Sequence, residues 1–417
     1  MSTAFSNALS GLNANALAID TVSGNLANLN TSGYKNNQVS FNDVLTGSIN
    51  GEADASVGGS VIASSSAEFQ QGSVTTTGAP FDAAIQGSGF FVLATPAGQL
   101  TFTRAGNFTE DSSGNLLGAS GEFVQGWNAV GGVLIANGPT SSIKLPVGGS
   151  EQPIATTEFN ISANLDANAV VGATSGTFST PVQVFDAEGT SHTLTVTFTE
   201  TAPDNWNYTV TIPSADLTGG SGTDTTVASG ALVFNGSGTL ASPLATDGPI
   251  NIPITGLADG ASDLSINWNL YDSNSVPTLT QFSEPSANLA SSQNGTASGQ
   301  LTGTSISDDG KIIANYSNGT SQVIAQIALA SVLNPNSMQN LGSNTFGVTA
   351  ATATPIIGTA GTGSRGQITG GALESSTVDI ATEFTNLLTY ERGYQANSKV
   401  ITTEDNITQT TVSLIQG

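Results

Sequence analysis

The sequence predicts an α+β chain in which a helix at each end pairs with the other as a coiled coil and the residues between them are β. Two periodic stretches predict the helices. In residues 1–30, Phe5, Leu12, Ile19 and Leu26 recur every seven residues, with Leu9, Ala16, Val22 and Leu29 on the same face. From Val378 to Ile415 there is no proline, and Ile380, Leu387, Tyr394 and Ile401 recur at the same interval. Val400, Ile407 and Leu414 continue that stripe one position earlier, which is how a straight helix drifts against a strict heptad. Composition predicts the sheets. Only 9% of the 417 residues are charged and 6% aromatic, while 49 are glycine, a balance that favours turn-rich β structure.

The C-terminal helix has a start signal in Ser376 with Asp379 three residues on, and Glu383 falls in its first turn. Gly24 and Gly393 interrupt the two patterns, each at a cost of roughly 1 kcal/mol relative to alanine. Neither stripe has a sequence neighbour to cover it. The simplest solution pairs the ends with each other and with copies in neighbouring molecules. Periodicity alone equally allows two helices docked on a globular domain.

Between the helices the pattern changes to period two. Phe91 and Leu93, then Leu100 and Phe102, flank a Pro96-Ala97-Gly98 turn, and Asp111 to Gly114 makes the next turn. Val182 and Val184, then Leu194, Val196 and Phe198, alternate with polar residues around Asp186-Ala187-Glu188-Gly189, a hairpin with one buried face. Trp206, Tyr208, Val210 and Ile212 read as the following strand, and Leu232 with Phe234, then Ile266, Trp268 and Leu270, as two more. Residues 217–228 read as an exposed loop. Gly299 to Ile306 and Ile313 to Leu329 read as further strands, joined by an Asp308-Asp309-Gly310-Lys311 turn.

The same residues exclude several functions. The formal net charge is -24, with seven Lys and Arg in all and none between Lys144 and Lys311. Phosphate recognition needs clustered cations, so neither nucleic acid nor an anionic membrane is expected as a partner. There is no cysteine, hence neither a disulfide framework nor a thiolate metal site. No secretory signal and no run long enough to span a membrane are visible, so membrane insertion is not expected. His192 is the sole histidine and is expected to be a partly exposed strand residue, which leaves no Ser-His-Asp set. Gly87-x-Gly89 lacks the third glycine and the helix of a dinucleotide loop, and reads as a turn passing close to packed backbone. Asp308-Asp309-Gly310-Lys311 lacks the alternating carboxylates of a calcium loop. No catalytic residue, cofactor or metal ligand is expected, and the chain is not read as an enzyme.

Short motifs then narrow the reading. Ser10-Gly11-Leu12, Val22-Ser23-Gly24-Asn25-Leu26-Ala27-Asn28 and Thr31-Ser32-Gly33-Tyr34-Lys35 resemble the N-terminal signature of the bacterial flagellar rod and hook proteins. Gly393-Tyr394-Gln395-Ala396-Asn397, with Ile401, Thr403, Asp405 and Leu414, resembles their C-terminal signature. The family usually has Asn where Gly24 stands and a bulkier residue than Gly393. Residues 76–150 resemble the family's first outer domain through Phe81-Asp82-Ala83-Ala84-Ile85, Gly89-Phe90-Phe91 and Thr103-Arg104-x-Gly106-x-Phe108.

The resemblance implies nested domains. Residues 1–30 and 373–417 would form a helical inner domain, and 31–75 with 358–372 an extended connecting linker with few strands. Residues 76–155 with 289–357 would form a first β domain, and 156–288 an outermost one. The insertion at 156–288 favours a hook subunit over a distal rod subunit, which lacks it. A secreted β-rich adhesin or glycan-binding protein is the reading from another class, and it leaves the matched terminal helices without a purpose. The family implies a helical homopolymer, a curved hollow tube that passes torque from rod to filament. Expected partners are other copies, the distal rod, hook cap and hook–filament junction proteins, and the flagellar export apparatus. The expected location is extracellular, reached without a cleaved signal. Self-assembly is assigned to Phe5, Leu9, Leu12, Ile19, Leu26, Asn28, Ile380, Leu387, Tyr394, Ile401, Ile407 and Leu414.

Overall fold

The computed structural model describes residues 3–44, 60–136 and 138–416. Strands dominate, and an α-helix stands at each end: α1 at Thr3–Ala27 and α2 at Ile380–Gln416. None of the described helices is long and apolar enough to cross a membrane. The chain forms two compact units, one of Met1–Val147, Gly303–Asn315 and Ser321–Gly417, the other of Gly148–Thr302 and Tyr316–Thr320.

In the first unit the strand Phe90–Ala94 is central. It pairs antiparallel with Leu100–Thr103 (Leu93 opposite Thr101), with Phe123–Asn128 (Leu93 opposite Val124) and with the returning strand Leu329–Ser331 (Leu329 opposite Phe91). Ser321–Ile327 extends the sheet beside Phe123–Asn128, and Thr345–Gly347 pairs with Leu100–Thr103. Outgoing and returning segments therefore share one sheet. Every residue of Phe90–Ala94 is buried, because both faces of the strand are covered. Phe91 and Leu93 meet Phe108, Val124 and Ile327 on one face, while Phe90 and Val92 meet Phe102 and Phe346 on the other. The turns expected at Pro96–Gly98 and Asp111–Gly114 are present, closed by Gly98 N–H to Thr95 O (2.8 Å) and Gly114 N–H to Asp111 O (3.0 Å). Gly87 and Gly89 have φ of +102° and +127°, and each lies against packed backbone, Gly87 on Gly366 and Gly89 on Ala330.

Of the stretch expected as an extended linker, residues 45–59 lie outside the described residues, and the rest is more structured than its polar sequence suggests. Asn37–Val44 (β1) and Ser60–Ala67 (β2) form an antiparallel pair in continuous register, Phe41 opposite Ala63. The pair is fastened to both helices. The Val61 amide donates to Ser10 Oγ on α1 (2.8 Å), and the Phe41 ring lies 5.7 Å from that of Tyr390 on α2. Partners distant in sequence, not an apolar alternation of its own, hold the hairpin. The returning stretch also pairs: Gln367–Gly370 runs beside Ala83–Gln86, and Ala372–Glu374 beside Val74–Thr76. The start of α2 is fixed differently from the sequence reading. Asp379 alone is the cap, its Oδ1 accepting the Thr382 N–H at 2.7 Å, while Ser376 Oγ accepts from Val378.

The second unit is built from two sheets that share one core. One has the order Ile250–Ile254, Leu264–Asn269, Glu158–Asp166, Leu279–Phe282, with Ala287–Gln293 also pairing Glu158–Asp166. The other has Thr177–Phe185, Ser191–Ala202, Asn205–Ile212, Thr225–Phe234 and Leu240–Ser242 in sequence order. Alternate residues of both sheets point inward, as the period-two pattern requires. Trp268 of the first sheet stacks on Phe159 (5.8 Å) and meets Tyr208 of the second edge-on (5.2 Å). The loop expected at 217–228 is shorter, since the strand already begins at Thr225. His192 is not a partly exposed strand residue: it is 4% exposed, with both ring nitrogens facing carboxylates. The strand alternation places its side chain correctly on one face, but gives no sign that aspartates from two distant loops close over it.

Candidate assembly surface on the terminal helices

The helices α1 and α2 meet through small residues. Ala8, Ala14, Ala18 and Val22 of α1 are buried. At the closest approach two Gly-x-x-x-Asn segments interlock. A Cβ placed on Gly11 would lie 2.9 Å from both Asn397 Nδ2 and Oδ1, and one on Gly393 would lie 2.5 Å from Asn15 Oδ1. Each asparagine is held by its own glycine, Asn15 Nδ2 donating to Gly11 O (2.7 Å) and Asn397 Nδ2 to Gly393 O (2.9 Å). Gly393 is thus a packing residue and not a local weakness. A Cβ on Gly24 would meet no atom within 4 Å, so the helix cost expected there stands without a packing return.

The helices are tied to the β structure beside them by buried polar groups. Asn25 Nδ2 donates to Asn37 O (2.9 Å) and to Glu383 Oε2 on α2 (3.3 Å), while its Oδ1 accepts from Asn37 N–H (3.0 Å) and the Tyr34 hydroxyl (3.3 Å). Burial and the Glu383 charge raise the Tyr34 pKa, against the lowering effect of its bond with Asn37. In the segment leading into α2, Glu374 is wholly buried between two cations: Lys35 Nζ at 2.7 Å and Arg104 Nη1 at 3.4 Å. The Gly72 amide and the Gln70 carbonyl complete the cluster, the latter accepting from Lys35 Nζ (2.5 Å). Burial lowers the Lys35 and Arg104 pKa values, and contact with Glu374 opposes the fall. The signature residues Asn25 and Lys35 thus bind the chain's own returning half.

The twelve residues expected to drive assembly divide into two sets. Phe5, Leu12, Ile19, Leu26, Leu387 and Ile401 are half-buried, with part of each side chain against the chain itself. Leu9, Ile380, Tyr394, Ile407 and Leu414 are exposed, Ile407 by 56% and Leu414 by 78%. Asn28 is half-buried and engaged locally, its Nδ2 donating to Gly24 O and its Oδ1 accepting from Thr31, which finishes the end of α1. Phe384 (52% exposed), Leu388 and Val400 of α2 join the exposed set. The heptad stripe is therefore only partly turned toward the chain itself. The closest contacts between the helices use alanine, glycine and asparagine beside it, and the two Gly-x-x-x-Asn spacings are the available signal. Glu374 and Arg104 carry no signal at all, since a buried ion cluster is assembled from remote residues.

Large apolar side chains stay exposed on both described helices, Leu9 and Leu17 on α1 and Phe384, Leu388, Ile407 and Leu414 on α2. Four stretches match families of flagellar structural proteins: residues 5–35 "Flagella basal body rod protein", 84–167 "Flagellar hook protein FlgE/F/G D1 domain", 160–296 "Flagellar basal body protein FlaE D2 domain" and 369–414 "Flagellar basal body rod FlgEFG protein C-terminal". These define a flagellar rod-and-hook type structural protein. Its sequence is 33% identical to the flagellar hook protein FlgE of Escherichia coli K12 over 99% of this chain and all of that one. It is likewise 33% identical to FlgE of Treponema pallidum over 97% of this chain and 98% of that one. A crystal structure of Helicobacter pylori flagellar hook protein FlgE2 has a similar fold, with a TM-score of 0.53 at 14% identity over 71% of this chain and 99% of that one. The chain belongs to the flagellar hook protein family, FlgE. It is a structural subunit of the hook, and the full-length matches to hook proteins, together with the D2 match over 160–296, favour that reading over a rod subunit or an adhesin.

Proposed function

We propose that copies of this chain assemble helically into a curved hollow tube, with α1 and α2 as a coiled-coil inner wall and the β domains outside it. The observation that carries the proposal is the exposure of Ile380, Phe384, Leu388, Val400, Ile407 and Leu414, large apolar side chains spread along and around α2. So many exposed apolar side chains on one helix mark a surface that other chains cover. In this arrangement residues 1–30 and 373–417 are the inner domain, 31–75 and 358–372 the connecting region, 76–155 and 289–357 the first β domain, and 156–288 the outermost. Apolar helix contacts tolerate small shifts, and polar contacts between outer β domains exchange at low cost. Each subunit can then alternate between short and long spacing as a bent tube turns about its own axis, which is how a universal joint passes torque.

The role is structural and not catalytic. Export through the flagellar apparatus and contacts with the distal rod, hook cap and hook–filament junction proteins follow from the same reading. The test is electron microscopy of the purified chain under polymerising conditions, beside Ile407→Asp. Hollow tubes from the parent and none from the variant, with equal melts of the β units, support the proposal. Tubes of equal yield from both overturn it.

A further inference from the structure

His192 stands at the centre of an arrangement that the assembly reading does not use. Its Nδ1 lies 3.0 Å from Asp216 Oδ2. Its Nε2 lies 3.3 Å from Asp186 Oδ2 and 3.6 Å from Asp259 Oδ2. Nε2 and one oxygen from each of Asp186 and Asp259 lie within 4.8 Å of one another.

The two aspartates are held ready by their own backbones. Asp186 Oδ1 accepts the Glu188 and Thr190 amides, each at 2.8 Å, which leaves Oδ2 facing the imidazole. Asp259 Oδ1 accepts the Ala261 amide at 3.1 Å, leaving its Oδ2 in the same place. With Nδ1–H donating to Asp216 Oδ2, the Nε2 lone pair and two carboxylate oxygens converge on one point. That convergence suits a cation, and the described ion pairs of these aspartates are with His192 alone.

A proton on Nε2 serves only one of the two carboxylates. It can bond Asp186 Oδ2 at 3.3 Å, longer than the about 2.7–2.9 Å of a charge-assisted N–H···O bond, while 3.6 Å to Asp259 is not a hydrogen bond. A tetrahedral metal answers well: bonds of about 2.0–2.1 Å place its ligand atoms roughly 3.3–3.4 Å apart. The two separations from His192 Nε2, 3.3 and 3.6 Å, fall close to that edge length. A ligating imidazole also characteristically donates its other N–H to a carboxylate, the place Asp216 occupies. We propose that Asp186, His192 and Asp259 form a binding site for a divalent transition cation, Zn²⁺ being the best match to one imidazole and two carboxylates, with Asp216 as the residue that orients the ring. Calcium fits less well, because it takes oxygen ligands throughout. Asp259 keeps about a quarter of its side chain exposed, which gives the ion a way in and a position for water as fourth ligand.

The ion would fasten three segments of the second unit: the hairpin turn at Asp186–Thr190, the short 3₁₀ turn Ser214–Asp216, and the loop carrying Asp259. The last two already touch, the Ala258 amide donating to Asp216 O at 2.9 Å. The site does not depend on the assembly reading.

The sequence makes the test clean, because a tag-free chain has one histidine and no cysteine. Zn²⁺ is titrated calorimetrically into the full-length monomer, and Co²⁺ is used as a spectroscopic probe. The expected results are one ion per chain, a tetrahedral Co²⁺ absorption band, and a raised melting temperature of the second unit. His192→Gln should abolish binding. Asp259→Asn should weaken it, and Asp216→Asn should weaken it by about 10–100-fold, the usual effect of losing a partner that orients a ligand. If His192→Gln fails to fold, imidazole ¹⁵N resonances of the parent decide, since Zn²⁺ must shift the one histidine. Absence of binding, binding that survives His192→Gln, an affinity unchanged by Asp259→Asn, or histidine resonances unmoved by Zn²⁺ would each overturn the site.

Discussion

Gly11 of the first helix lies directly under the Asn397 side chain of the second, with room for a hydrogen and none for a methyl group. Asn397 cannot simply swing aside, because its amide is tied to Gly393 O at 2.9 Å, and Gly393 is in turn covered by Asn15. The two ends of the chain are thereby set in register by a pair of small contacts. Gly11→Leu should force the helices apart at a cost of about 1–3 kcal/mol, as overpacked contacts do. Gly24→Ala should instead stabilise α1 by up to about 1 kcal/mol, because nothing opposes a Cβ there. Helix content followed by circular dichroism in urea checks both. Equal effects of the two substitutions would show that the crossing is not close.

The Lys35–Glu374–Arg104 cluster predicts a larger loss. Glu374→Gln leaves two buried cations without their anion. Breaking a buried ion cluster from one side costs about 3–5 kcal/mol. A denaturant melt of the first unit should register it. A change under about 1 kcal/mol, the scale of a solvated surface pair, would mean the cations reach water when the carboxylate is removed.

The start of α2 should depend on pH. The Thr382 amide, bonded to the Asp379 carboxylate, is the main cause that holds its pKa below the ordinary value of 3.8. A depressed folded-state pKa means the cap is complete above the usual carboxylate range and lost as pH falls through the lower, folded value. Amide exchange at Thr382 should therefore accelerate below about pH 4 relative to mid-helix amides. Asp379→Asn, which caps without titrating, should remove that dependence. Persistence of the dependence in Asp379→Asn would assign it to another group.

Much of this architecture is legible in the sequence for identifiable reasons. The helices are readable because Phe5 to Leu26 and Ile380 to Leu414 keep a helical period, and the strands of the second unit because Val182 to Phe198 alternate. What escapes is what depends on remote partners. The β1–β2 hairpin has too few apolar residues to announce itself and is held by Ser10 and Tyr390. The burial of His192 comes from Asp216 and Asp259, both outside its own hairpin. The helix seam is hidden for a different cause. Large apolar residues suggest themselves as the contact between the chain's own ends, whereas the tightest part of that contact is made by Gly11, Asn15, Gly393 and Asn397. Of the large residues on α2, Phe384, Leu388, Ile407 and Leu414 face outward.

A helical reconstruction of the assembled polymer measures the burial of these exposed side chains directly. The exposures of Phe384, Leu388, Ile407 and Leu414 should fall to near zero, each side chain meeting α1 or α2 of a neighbouring copy. A tube in which these four residues still face solvent, with the subunits joined through their β domains alone, would contradict it.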